Sequence, residues 1–203
     1  NDPATPEISP LSLPDALPIS LPAQAGREGA RAAQEGDAGV SEVVLRPMTM
    51  ADLPVVHRLE RTLFPEDPWS EEMFRGELAD QPRTRHYVVA EDSGGEIVGY
   101  AGLAAAGGQA DVQTIAVRAD RRGSGTGAAL LTELLDEAVR RNSEAVFLEV
   151  RADNDPARRL YERFGFERVG IRRGYYQPSG TDAIVMCRKL RTRPPMGFNR
   201  ESM

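Results

Sequence analysis

Only one cysteine, Cys187, occurs among the 203 residues, which excludes an internal disulfide and a cysteine-rich metal site. Two histidines, His57 and His86, are too few and too far apart to suggest zinc, and no metal is expected. No uninterrupted apolar run approaches the ~18–20 residues that a helix needs to cross a bilayer, so no membrane partner is expected. A basic surplus is also missing, because 31 acidic against 25 basic side chains leave a net charge of −6. Nucleic-acid binders advertise the opposite sign, and no direct nucleic-acid contact is expected. A single thiol and no span fit a reducing interior, so the expected compartment is the cytoplasm.

Aromatic residues are absent from the start of the chain. None of the 12 falls before Phe64, whereas six of the 15 prolines fall within the first 22 residues. Residues 1–42 carry seven acidic and two basic side chains, which leaves the remainder nearly neutral. Such a stretch buries too little apolar surface to offset the entropy of ordering it, and it reads as a disordered tail. A signal peptide is not expected here, because the start is not basic and Pro10, Pro14, Pro18 and Pro22 divide the apolar residues. The run Ser9–Ser20 resembles translated sequencing-adapter sequence, which makes the tail a candidate artefact. One domain is expected over residues 43–190, with 191–203 as a disordered C-terminal end.

Within that domain, strand and helix patterns alternate. Val43–Arg46 reads as a short strand, and Thr49 with Asp52 opens a helix bearing Leu53, Val56, Leu59 and Leu63 on one side. Ser70 caps a second helix, whose first turn holds Glu71 and Glu72 where the helix dipole favours anions. Tyr87–Glu91 and Ile97–Leu103 form a hairpin about Ser93-Gly94-Gly95. A strand near Val112–Val117 leads through a glycine-rich turn to a helix with Leu130, Leu131, Leu134, Leu135 and Val139. After the buried strand Val146–Val150, Asp155 as cap and Pro156 open a helix that stops at Gly165. Two last strands, about Glu167–Arg172 and Ala183–Arg188, flank a polar loop. The order predicts a mixed α/β domain with hairpins at both ends of a central strand–helix–strand unit.

The most informative stretch is Arg121-Arg122-Gly123-Ser124-Gly125-Thr126-Gly127-Ala128, between a strand and a helix. Small residues let the backbone approach a ligand, and the N–H groups of a helix start point at an anion. Two adjacent arginines add charge complementarity to phosphates. A plain flexible turn needs neither three alternating glycines nor two arginines. A nucleotide-triphosphate loop is excluded, because Gly127 is followed by Ala128 and Ala129 instead of Lys and Ser or Thr. A dinucleotide fingerprint fits Gly123, Gly125 and Ala128, with Glu149 about 20 residues further on. Against it, Arg118 to Arg122 separate the strand from the first glycine, and about 40 domain residues after Glu149 are too few for a doubly wound domain.

Arg122-x-x-Gly125-x-Gly127 also matches the Q/R-x-x-G-x-G/A signature of the GNAT acetyltransferases, and the resemblance covers about residues 43–190. Four further stretches are similar to the RimI-type ribosomal-protein-alanine N-acetyltransferases within that family. They are Leu148-Glu149-Val150-Arg151-Ala152-Asp153-Asn154, the run Leu160–Phe166, Ile171–Tyr176 followed by Asp182-Ala183-Ile184, and Pro68-Trp69-Ser70. The resemblance implies a GNAT fold, with a mixed, mostly antiparallel sheet, helices on both faces and a splayed central strand pair that admits the pantetheine. It implies acetyl-CoA as donor substrate, held at the pyrophosphate by Arg122, Gly123, Ser124, Gly125, Thr126, Gly127 and Ala128. Backbone groups of Ile115, Ala116 and Val117 would meet the acetyl carbonyl and pantetheine, and Asn154 the pantetheine arm. The implied partner is a protein N-terminus beginning with alanine, on a ribosomal protein.

Acetyl transfer from a thioester to an amine poses two proton problems. An α-amino group with a pKa of roughly 7.7–8.0 is largely protonated at neutral pH, and a departing thiolate benefits from a proton. By resemblance Glu149 is the general base and Tyr161 the general acid. Glu149 pairing with Arg151 or another arginine, and Tyr161 packing with Leu160 and Phe164, remain open readings of the same residues. Asn154 has a capping alternative. Trp69, Tyr175 and Tyr176 are candidates to frame the acceptor peptide, with a surface aromatic patch or a hydrophobic staple as the other reading. Cys187 has no histidine nearby in sequence and is expected to be a packing residue. Two further functions stay open, an enzyme acting on a small amine or lysine side chain and a non-catalytic acyl-CoA-binding module.

Overall fold

Small and β-branched apolar residues run through the middle of the chain. In the computed structural model, which describes residues 43–190, they build a seven-stranded sheet. The expectations for 1–42 and 191–203 lie outside the described residues. The strands are β1 (Val44–Pro47), β2 (Arg85–Glu91), β3 (Ile97–Ala106), β4 (Gln109–Val117), β5 (Ala145–Arg151), β6 (Glu167–Tyr176) and β7 (Thr181–Lys189). They lie in the order β1-β2-β3-β4-β5-β7-β6, and every pair is antiparallel except β4–β5. The helices are α1 (Leu53–Leu63), α2 (Glu71–Ala79), α3 (Thr126–Arg140) and α4 (Asp155–Arg163).

Strand alternation sends successive side chains to opposite faces. Val88 and Ala90 of β2 share a core with Leu130, Leu131 and Leu134 of α3 and Tyr161 of α4, whereas Tyr87 and Val89 pack with α1 and α2. The sheet is thus covered on both faces, as the resemblance implies. Each of those fully buried leucines contributes about 1.5–3 kcal/mol by leaving water. No helix among the described residues is long and apolar enough to cross a membrane.

One irregularity positions everything that follows. β3 and β4 slip register between Gly102 and Leu103, so that Gln113 of β4 is left over as a bulge. β4 pairs with β5 only through Gln109↔Ala145, Ala110↔Val146 and Asp111↔Phe147, although both strands continue beyond those pairs. From Val112 and Leu148 onward they diverge, which is the splayed central pair the resemblance implies. Tyr87 anchors the bulge, its phenol donating to Gln113 Oε1 at 2.7 Å.

Local details correct the sequence reading in three places. The segment after Thr49 is a short 3-10 turn, Met50–Asp52, and α1 proper begins at Leu53 with Pro54 in its first turn. Asn154, not Asp155, caps α4, its side chain accepting from the Ala157 N–H at 3.2 Å, while Asp155 pairs with Arg158 at 2.9 Å. β6 runs on to Tyr176, so Tyr175 and Tyr176 belong to a strand and the polar loop shrinks to the turn before Thr181.

Candidate active site

The glycine-rich loop leaves β4 through a 3-10 turn at Ala119–Arg121 and enters α3 at Thr126. Gly123 and Gly125 adopt φ of +79° and +89°, a backbone conformation that other residues adopt with strain. No acceptor among the described residues takes the amide hydrogens of Gly123, Ser124, Gly125, Thr126, Gly127 or Ala128. Those amides therefore form a concavity at a helix N-terminus whose chemistry, with the helix dipole, suits an anion. Ser124 is turned inward, its hydroxyl donating to the Arg121 carbonyl at 2.7 Å. The two arginines separate in role. Arg121 is tied to Asp92 at 2.6 Å, while Arg122 has no ionic partner among the described residues.

Beside this loop, the diverging strands open a gap. The Arg118 amide donates to the Val98 carbonyl at 2.8 Å, so by strand alternation Ala116 also faces β3 with its backbone groups. Ile115 and Val117 turn theirs the other way, toward the gap. Of the three residues assigned to this wall, Ala116 thus has its backbone occupied in the sheet.

Across the gap, Glu149 occupies the middle of β5, 9% exposed. Its neighbours Leu148 and Val150 point into the core under α3 and α4, so the carboxylate faces the α1–α2 side. Burial raises its pKa, opposed by Arg172, whose Nη2 lies 3.2 Å from Glu149 Oε1, and reinforced by Asp111. Among the pairings left open, the arginine is Arg172. Arg151 instead pairs with Asp153 at 3.0 Å and lies over the Tyr176 ring at 5.2 Å.

Tyr161 approaches from α4. Its ring stands edge-on to Phe166 at 5.9 Å, and its hydroxyl is fully buried without a hydrogen-bond partner among the described residues. Burial pushes the phenol up, so it holds its proton. Buried polar groups are ordinarily paired, so an unpaired one calls for an explanation, of which a functional role is one. Tyr176, 2% exposed, lies within electrostatic reach of both Glu149 and Tyr161 and joins the two sides of the site. Tyr175 is half-buried, edge-on to Tyr176 at 5.3 Å, with Arg172 over its ring at 5.5 Å.

Trp69 is a correction. Its ring is 3% exposed and packs against Phe74 at 5.2 Å, so the indole belongs to the core and does not frame a surface. Its loop still borders the site, since Glu66 reaches Arg151 at 4.0 Å. Cys187 is half-buried on β7 with its thiol pushed up by burial, which suits packing and not nucleophilic attack. His86 pairs with Glu133 at 3.0 Å, away from the gap. Asp111 was missed by sequence reasoning, although an acidic residue between Ala110 and Val112 in an apolar strand is a readable signal.

These features fit an extended ligand with a diphosphate at one end and a reactive thioester at the other. The free amides and Arg122 suit the diphosphate, the gap suits a slender arm, and the unpaired Tyr161 phenol suits a sulfur at its end. No group of His, Cys, Asp or Glu among the described residues is gathered as a metal site.

Comparison with known proteins agrees with this chemistry. Residues 53–166 match the model of the Acetyltransferase (GNAT) family. The N-alpha-acetyltransferase RimI of Mycobacterium tuberculosis is 44% identical over 156 residues, covering 74% of this chain and 95% of that protein. The ribosomal protein bS18-alanine N-acetyltransferase of Escherichia coli K12 is 35% identical over 138 residues, 67% of this chain and 90% of that one. The crystal structure of the Escherichia coli ribosomal-protein-S18-alanine N-acetyltransferase superposes with a TM-score of 0.68 at 30% identity, covering 77% of this chain and 99% of that chain.

Proposed function

Because this chain belongs to the GNAT acetyltransferase family, we propose that it acetylates the α-amino group of an N-terminal alanine on a ribosomal protein. It is an acetyl-CoA-dependent N-acetyltransferase. Similarity to the Mycobacterium tuberculosis and Escherichia coli enzymes supports the choice of acceptor. A ribosomal acceptor implies work in the cytoplasm.

The donor brings an activated acyl group as a thioester; the rest of the chemistry falls to this chain's residues. Arg122 and the amides from Gly123 to Ala128 hold the diphosphate. Amides of Ile115 and Val117 face the gap, where a hydrogen bond to the carbonyl oxygen stabilises the charge gathering there, by a few kcal/mol per donor. Glu149 takes the proton from the acceptor amine, a task suited to a carboxylate whose basicity burial has raised. Tyr161 gives its proton to the departing sulfur. Asn154 caps α4 and thereby fixes where Tyr161 stands; by likeness to the family it also meets the pantetheine arm. Half-buried Tyr175 lines the acceptor side, backed by the buried ring of Tyr176.

The observation that supports this reading is the buried Tyr161 hydroxyl, without a hydrogen-bond partner among the described residues, together with buried Glu149 on β5, with Tyr176 within electrostatic reach of both. It is tested with labelled acetyl-CoA and peptides beginning with alanine, analysed by mass spectrometry. Label is expected on the peptide α-amino group, and Glu149→Gln is expected to lose rate while still binding acetyl-CoA. Acetylation of a small amine or a lysine side chain, with alanine peptides untouched, would overturn the acceptor.

A further inference from the structure

A second carboxylate faces the site where β4 and β5 part. Asp111 is the last β4 residue paired with β5, opposite Phe147, and Glu149 lies two residues further along the same face of β5. Ala110 and Val112 point into the core under α3, so Asp111 looks toward the α1–α2 side, as Glu149 does. Asp111 is half-buried, and no hydrogen-bond donor among the described residues reaches its carboxylate. Arg172 on β6 pairs with Glu149 at 3.2 Å and is within electrostatic reach of Asp111.

We propose that Asp111 is a positioning residue for acetyl transfer: as a second carboxylate on the sheet face that carries Glu149, it offsets the charge of Arg172 and so leaves Glu149 able to take the proton of the acceptor amine. The inference rests on Glu149 as proton acceptor. An arginine pairing with Glu149 alone would hold it as a weak base, because an opposite charge within ~4–6 Å favours the ionised carboxylate. A second negative charge nearby acts in the opposite sense. Burial and Asp111 both raise Glu149, and burial raises Asp111 against the pull of Arg172 and Arg85. The charged and titratable groups facing the pair are Arg172 and the Tyr176 phenol from β6 and Arg85 from β2. In the step itself an N–H bond of the acceptor breaks, an O–H bond forms on Glu149, and Asp111 keeps its charge throughout.

The test is kcat/KM against pH for an alanine peptide at saturating acetyl-CoA, in wild type, Asp111→Asn, Asp111→Glu, Arg172→Gln and Glu149→Gln. The acceptor's own titration is common to all, so any displacement belongs to the enzyme. Asp111→Asn is expected to move the acidic limb down by about half a pH unit or more and to lower the plateau. Arg172→Gln should move it up, and Asp111→Glu should restore the wild-type limb. A limb unmoved in both Asp111→Asn and Arg172→Gln, with Glu149→Gln flattening it, overturns the role of Asp111 and leaves Glu149 standing. A uniform loss at every pH in Asp111→Asn, without displacement, also overturns it by showing a merely structural part. Should Asp111→Asn fail to fold, an unmoved limb in Arg172→Gln decides against the proposal. Full activity and an unchanged limb in Glu149→Gln would instead remove the base assignment itself.

Discussion

Tyr87 on β2 stands directly across from Gly102 on β3, and its ring occupies the space that a Cβ on the glycine would need. The same ring carries the phenol that holds Gln113 at the bulge where β4 begins to leave β5. Gly102→Ala therefore forces the tyrosine to move, and overpacking of this kind costs about 1–3 kcal/mol. Urea unfolding should show that loss together with weaker acetyl transfer. An alanine variant of wild-type stability would mean that the ring has another place to go.

Tyr161→Phe separates catalysis from packing. The hydroxyl has no hydrogen-bond partner among the described residues, so its removal is expected to leave stability unchanged or to raise it by up to about 1 kcal/mol. Turnover should fall roughly 10²-fold, the usual range for losing a positioned proton donor, with acetyl-CoA affinity retained. Thermal melts and steady-state kinetics on one preparation check both halves.

The two arginines of the loop should respond differently. Arg122→Ala is expected to weaken acetyl-CoA binding roughly tenfold with an unchanged melting temperature, as a charge-assisted contact to phosphate is lost. Arg121→Ala should lower the melting temperature, because Asp92 loses its 2.6 Å partner. Calorimetric titration alongside melts would expose the assignment as reversed if Arg121→Ala alone lost affinity.

A pH dependence of stability follows from Glu60 on α1. Its carboxylate accepts from the Trp69 N–H at 2.9 Å and from the Tyr100 phenol, and burial pushes its pKa from 4.5 up to about 7. The folded protein therefore keeps a proton that the unfolded chain has released. Stability should decline as pH rises from about 4.5 to about 7 and level off above, by about 3 kcal/mol at most. Asp52 works in the opposite sense but at lower pH, since Arg46 holds it down at about 2. Denaturant melts between pH 5 and 8 follow this slope, to which buried Glu149 and Asp111 add in the same sense, and Glu60→Gln should reduce it.

Much of the site was legible residue by residue. Three alternating glycines with Arg122 mark an anion site wherever they lie between a strand and a helix, because the chemistry is in backbone amides that are local in sequence. Glu149 within an apolar strand and Tyr161 on the next helix were likewise readable. The capping of α4 was misassigned because Asn154 and Asp155 are both competent caps, and only backbone geometry selects between them. Trp69 misled for a different reason, since an indole in a loop between two helices reads the same whether it points outward or into the core.

By itself, the order of residues determined where most strands and helices form, which faces they bury, and that a glycine loop opens α3, because periodicity and turn chemistry act over a few residues. The tertiary structure alone decided that β4 leaves β5 after Asp111, that Arg172 and not Arg151 meets Glu149, and that Asp111 lies on the same sheet face as Glu149. Those relationships depend on strand register and on a single extra residue at Gln113. A shift of one position moves every side chain of a strand to its other face, and no local pattern encodes that choice.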